Sequence, residues 1–202
     1  MPQNQLEEVL ERIHRLHIQL EEEFDQLLAE KQQQFHYTLD KGRVIFEQSV
    51  RTFQQSHRTG IWRYLLGAKL AHILTAPIIY SVLLPLMLLD LAVTVYQHAC
   101  FRVYGIDRVR RADYIIIDRQ HLGYLNTIEK LNCMYCGYGS GLMEYTREII
   151  ARTEQYWCPI KHARRALSQH DRSRHFVDYG DVEAYRQELA RLRAELAAIN
   201  PR

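Results

Sequence analysis

Twenty consecutive residues, Leu70 to Leu89, contain no Asp, Glu, Lys or Arg. As a helix this stretch reaches about 30 Å, the thickness of the hydrocarbon core of a bilayer. A soluble fold rarely covers every face of so long an apolar helix. The sequence therefore predicts a membrane-embedded segment. The wider apolar block runs from Leu70 to Phe101, and Asp90 is its only acidic residue. An acid in such a block needs a partner. His72, His98 and a neighbouring subunit are the candidates.

The block is too long for one upright crossing, and Pro77 and Pro85 would each kink or break a helix. Arg51, Arg58, Arg63 and Lys69 precede it, and Arg102, Arg108, Arg110 and Arg111 follow it. Basic flanks favour the cytoplasmic side, so both ends prefer the same face. Two arrangements follow: a single tilted transmembrane helix, or a re-entrant helical hairpin bent at a proline. The hairpin accounts better for the flanks. Trp62, Tyr64, Tyr96 and Tyr104 suit the headgroup layer in either case.

Ahead of the block, residues 3 to about 57 read as a long helix. Leu6, Ile13, Leu20 and Leu27 recur every seven residues, with Leu10, His17 and Phe24 at the second heptad position. This is a coiled-coil seam. Leu39, Phe46 and Phe53 resume the spacing after a step that is not a whole number of heptads, so a stutter or bend is expected near Lys31–Gln34 or Gly42. At the other end, Val182, Leu189 and Leu196 form one heptad series, and Tyr185, Leu192 and Ile199 a second. Asp181 is the expected N-cap. The two seams suggest that the C-terminal helix packs on the N-terminal coiled coil, with self-association as the alternative.

Chemistry concentrates in one further stretch. Cys133, Cys136, Cys158 and His162 form the pattern C-x2-C-x21-C-x3-H. Three thiols and an imidazole complete a tetrahedral shell for zinc, or for iron. Leu122, Leu125, Ile128 and Leu131 predict a helix that the first cysteine pair terminates, with Gly137, Gly139 and Gly141 forming a turn. Leu142 to Trp157 then reads as an antiparallel helix. That geometry separates the two ligand pairs by a helix length, so closure in one chain requires a shorter or bent helix or a folded-back loop, and closure between subunits is the other route. Pro159 suits the first turn of a helix, on which Cys158 and His162 would share a face.

The Cys-Met-Tyr-Cys-Gly-Tyr and Cys-Pro segments resemble rubredoxin-type knuckles over a few residues, although the fourth cysteine is absent. From Asp118 to Arg165, the same segments, with Tyr-Trp-Cys-Pro-Ile-Lys-His-Ala, resemble an uncharacterised bacterial membrane-associated family. The resemblance implies no known activity.

The net charge of +2 and the lack of an aromatic-laced basic patch argue against nucleic acid as a partner. No nucleotide loop or nucleophile elbow appears, and no small-molecule substrate is evident. The chain opens without a basic, apolar leader, so the cysteines are expected to stay reduced. The expected chain is all-α. It has a coiled-coil stalk (1–60), a membrane-embedded segment (61–105), a Cys3His module (106–170), and a linker with a C-terminal helix (171–202). The expected role is a scaffold or assembly subunit at the bacterial inner membrane, with stalk and module on the cytoplasmic side. It would be homo-oligomeric or part of a larger complex, with structural zinc. An iron-based redox protein and a metal sensor or delivery protein are the alternatives.

Overall fold

The computed structural model describes residues 2–40, 43–164, 167 and 169–198. The chain is mostly helical. Its contacts divide it into two compact units: residues 1–61 with 121–126, and residues 62–120 with 127–202.

In the first unit, α1 spans Pro2–Gln34. The heptad side chains Ile13, Leu20, Phe24 and Leu27 lie exposed along it. The side chains of Leu6 and Leu10 lie outside the described residues. The helix does not continue to residue 57. It gives way to two strands, β1 (Tyr37–Asp40) and β2 (Arg43–Phe46), paired antiparallel with Tyr37 opposite Phe46 and Asp40 opposite Arg43. Leu39, Phe46 and Phe53 thus belong to three elements, because α2 (Gln48–Ser56) follows the hairpin. The signal was local. Tyr37-Thr-Leu and Val44-Ile-Phe are short runs of strand formers around a Gly-containing pair, and this outweighs a seven-residue coincidence. Gln54 of α2 accepts a hydrogen bond from the Gly123 amide at 2.8 Å.

The second unit is built on the apolar block. After α3 (Ile61–Gly67), α4 (Leu70–Ser81) and α5 (Leu83–Tyr96) form one apolar helix that continues through a π turn (Gln97–Phe101) and α6 (Arg102–Tyr104). The hairpin expectation gives way to a single 35-residue helix, Leu70–Tyr104. Pro77 sits inside it, and Val82 between α4 and α5 keeps right-handed helical dihedrals (φ −64°, ψ −18°). A proline removes one backbone donor and strains one turn; the tightened turn at Val82, whose amide reaches the Ile79 carbonyl at 3.2 Å, absorbs this without reversing the chain. Gly105 ends the helix in the left-handed region (φ 69°), a conformation open to glycine. The Ile106 amide then closes on the Phe101 carbonyl at 2.9 Å.

The helix α7 runs unbroken from Thr127 to Trp157. The first cysteine pair and the glycines do not terminate it, and residues 122–126 are not helical. The glycines serve packing instead. A Cβ at Gly141 would sit 2.5 Å from the Tyr114 carbonyl oxygen and 2.8 Å from the Ile115 Cα, and one at Gly137 would sit 3.2 Å from the Ile116 oxygen. The chain returning from Gly105 therefore lies directly on α7, and at Gly141 only glycine admits it. Each glycine inside a helix costs about 1 kcal/mol relative to alanine, which this close packing offsets.

The apolar helix and α7 run parallel. Tyr80 meets Asn132, Leu86 faces Gly139, Asp90 meets Tyr138, Tyr96 meets Thr153, and Tyr104 stacks on Tyr156. The core gathers at the C-terminal end of this pair: Phe101, Ile106, Val109, Leu142, Tyr145, Ile149 and Leu196. Asp181 caps α8 (Val182–Ala197) as expected, accepting from the Ala184 amide at 2.9 Å. Leu192 and Leu196 are buried. Within this unit α8 packs on α7, where Gln155 donates to the Leu192 carbonyl at 3.0 Å. Ile199 lies outside the described residues.

Gly141→Ala is expected to destabilise the protein by several degrees in Tm, because the added methyl meets backbone. Gly139→Ala, whose methyl would meet only Leu86 Cδ1 at 3.5 Å, should be neutral or stabilising by up to about 1 kcal/mol. Thermal unfolding of both variants checks the contrast; equal losses would refute the packing role.

Candidate functional site

The continuity of α7 decides the fate of the cysteine-histidine set. Cys133 and Cys136 fall one helical turn apart in its N-terminal half. Cys158 follows its last residue. Along the helix, Cys136 and Cys158 are separated by about 33 Å. The segment after Cys158 is not the expected helix either. Ile160 forms a parallel bridge with Val177, closed by Lys161 N–H to Val177 O at 2.8 Å and Val177 N–H to Pro159 O at 2.9 Å. An extended segment does not set Cys158 and His162 on a common helical face. Among the described residues, no group of three or more His, Cys, Asp or Glu side chains is placed to hold a metal.

The individual donors remain accessible. Cys133 is half-buried, and Cys136, Cys158 and His162 are exposed. Local desolvation, together with the nearby Glu154 carboxylate, pushes the Cys158 thiol up from its ordinary value. It is therefore a poorer thiolate at neutral pH, which weakens it as a ligand or nucleophile. Within one chain, α7 holds the Cys133–Cys136 pair apart from Cys158 and His162.

The structure instead brings together two polar centres that the sequence reading did not assemble. Asp90 faces neither His72 nor His98. Its carboxylate receives Arg111 in a two-pronged pair, with Nη2 to Oδ2 at 2.7 Å and Nε to Oδ1 at 3.2 Å. The Tyr138 hydroxyl donates to Oδ2 at 3.0 Å, and Thr94 Oγ1 to Oδ1 at 3.4 Å. His98 Nδ1 lies 2.7 Å from the Thr94 carbonyl instead. A guanidinium grips a carboxylate bidentately more strongly than a neutral donor does. Asp90 thus ties the apolar helix to the returning segment and to α7. Arg111, Tyr138 and Thr94 together fix the carboxylate in place.

The other centre lies further along α7, at Glu148. Glu148 Oε1 accepts from Arg152 Nε at 2.8 Å and Arg172 Nη2 at 2.6 Å. Arg152 also donates to the Asp107 carbonyl at 2.6 Å, and Arg172 to Gln155 Oε1 at 3.2 Å. Desolvation raises the Glu148 carboxyl, but the two guanidinium groups outweigh it and hold it below the usual carboxylate range. Nearby, Gln97 in the π turn accepts from the Val109 amide at 2.9 Å and donates to the Tyr145 hydroxyl. Neither Gln97 nor the pairing of Arg111 with Asp90 had a sequence signal, because each joins segments with no periodic relation.

An apolar groove of about 390 Å³ also opens between the start of the apolar helix and α7, with Tyr64, His72, Ile79, Asn132, Tyr135 and Cys136 among its walls. No family model, curated protein or solved structure matches this chain.

Two outcomes check this account. Glu148 has a lowered carboxyl in the fold, so its contribution is present above the unfolded carboxylate value of about 4.3 and is lost as pH falls through the folded value. Denaturation midpoints should decline below about pH 4. Glu148→Gln should destabilise by about 3 kcal/mol at neutral pH and flatten that decline; an unchanged acid profile would contradict the role. Protein held monomeric by dilution in detergent should retain well under one zinc per chain by elemental analysis. A tightly held zinc in the monomer would refute the separation set by α7.

Proposed function

We propose that this protein is a membrane-anchored scaffold or assembly subunit, seated at a bacterial inner membrane with its N-terminal helix and Cys/His segment on the cytoplasmic side. The observation that carries the reading is the apolar helix itself. It is long and apolar enough to cross a membrane, and α7 covers only one of its faces. Leu70, Leu74, Ile78, Leu84, Leu88 and Leu91 stay largely exposed. In water this surface would be an aggregation liability; lipid removes the cost. Basic residues at both ends, Lys69 and Arg102 among them, support the cytoplasmic placement.

The scaffold role is supported by what the polar side chains do. The Asp90–Arg111 and Glu148–Arg152–Arg172 pairs tie segments together, and α1 presents an exposed heptad seam that a second copy of the same helix would cover. A structural zinc enters this reading only between chains, with Cys133 and Cys136 of one chain and Cys158 and His162 of another. Iron-based redox and metal delivery carry the same requirement.

The test is fractionation with cross-linking in bacterial membranes. The protein should sediment with membranes and cross-link to itself. Leu20→Asp combined with Leu27→Asp should abolish the cross-linked species and leave the protein in the membrane pellet. Recovery in the soluble fraction would overturn the anchor, and a persistent oligomer would overturn the α1 seam.

A further inference from the structure

The partner of the apolar helix is a bilayer in the reading above, and the following rests on that reading. We infer that the helix Leu70–Tyr104 lies in the plane of a single anionic leaflet, with α7 on its aqueous side, rather than crossing the bilayer.

Depth in the bilayer decides between the two seats. Tyr80 stands at the middle of the uncharged run Leu70–Leu89. Its hydroxyl donates to Asn132, and the Tyr135 hydroxyl donates to the Ile79 carbonyl at 2.9 Å. An upright crossing centred on that run would carry Asn132 to the middle of the bilayer. Lys130 and Glu129, two and three residues away on α7, would sit within about 5 Å of it. The returning chain descends to the same level: the Ile116 carbonyl lies beside Gly137, with Asp118 and Arg119 two and three residues beyond. Lipid-exposed irregular backbone is excluded from the hydrocarbon layer, and charges there are costly; Ile116 is 60% exposed. Sliding the crossing toward the C-terminus does not help. It brings in the Asp90–Arg111 pair and then Glu144 and Arg147 of α7.

An in-plane seat removes each conflict. The helix extends about 52 Å, far beyond a hydrocarbon core of about 30 Å, and parallel to the surface this length carries no mismatch. Arg63 and Lys69 at one end, and Arg102 and Arg108 at the other, are all exposed. They would meet lipid phosphates of the same leaflet, which explains why both flanks are basic although the chain does not turn back between them. Attraction of such residues to anionic headgroups is the electrostatic half of interfacial binding. Trp62 and Leu66 of α3, 79% and 86% exposed, extend the apolar contact beyond the helix start.

Ile73, Leu84 and Val95 are all exposed and fall eleven residues apart, which returns them to nearly one helical face. Spin labels on Ile73→Cys, Leu84→Cys and Val95→Cys, in the full chain with its native cysteines changed to Ser, read depth directly. The labelled proteins are bound to sealed phosphatidylcholine/phosphatidylglycerol vesicles, with co-flotation as the control. The expected result is one shallow depth for all three labels. Leu84 lying deepest, with Ile73 and Val95 shallower, is the result an upright crossing or a hairpin gives; it would overturn the in-plane seat while leaving the membrane reading intact. Failure to float would overturn the membrane reading itself, and this inference with it. Binding at least tenfold weaker to pure phosphatidylcholine is expected; equal binding would overturn the anionic leaflet.

Discussion

The close approach of α7 to the apolar helix and to the chain that returns from it organises the second unit. It depends on two glycines in an otherwise ordinary helix: Gly137 and Gly141 let the backbone at Tyr114–Ile116 lie against α7. With that backbone in place, Arg111 reaches Asp90, and Val109 reaches Gln97. The ion pair then works as a rivet through the three segments, because Tyr138 of α7 completes the carboxylate's shell. A side chain that looked like an isolated acid in an apolar stretch becomes the most fully partnered group on it.

The same helix continuity that builds this core separates the four metal donors. A chain cannot both run straight from Thr127 to Trp157 and bring Cys136 to Cys158. The core settles the competition, since Leu142, Tyr145 and Ile149 are buried along the middle of α7, where a bend would expose them. Burial of such side chains contributes roughly 1.5–3 kcal/mol each. Cys136 and Cys158 are left exposed and Cys133 half-buried.

Much of the fold was legible in the sequence, and the failures have a common cause. The apolar block, the N-terminal helix, the C-terminal helix and its Asp181 cap follow from patterns spanning adjacent residues. The β-hairpin is hard to read because a seven-residue recurrence at Leu39, Phe46 and Phe53 overlies the strand formers beside them. The turn expected at Gly137–Gly141 failed because glycine marks either freedom or closeness, and only the position of Tyr114 tells which. Asp90–Arg111 and Gln97–Val109 join residues whose separation obeys no period. The candidate site suffered most: ligand types and spacing were readable, but whether the backbone between them bends is decided by packing far from either pair.

In the proposed seating, the apolar helix is covered by α7 on one side and by one lipid leaflet on the other. Neutron reflectometry of the full chain on a supported anionic bilayer measures this directly, by locating protein density along the membrane normal. The account predicts a protein layer on the side of addition, with penetration confined to the headgroups and outer acyl region of that leaflet. Protein density extending through both leaflets, or no bound layer, would contradict it.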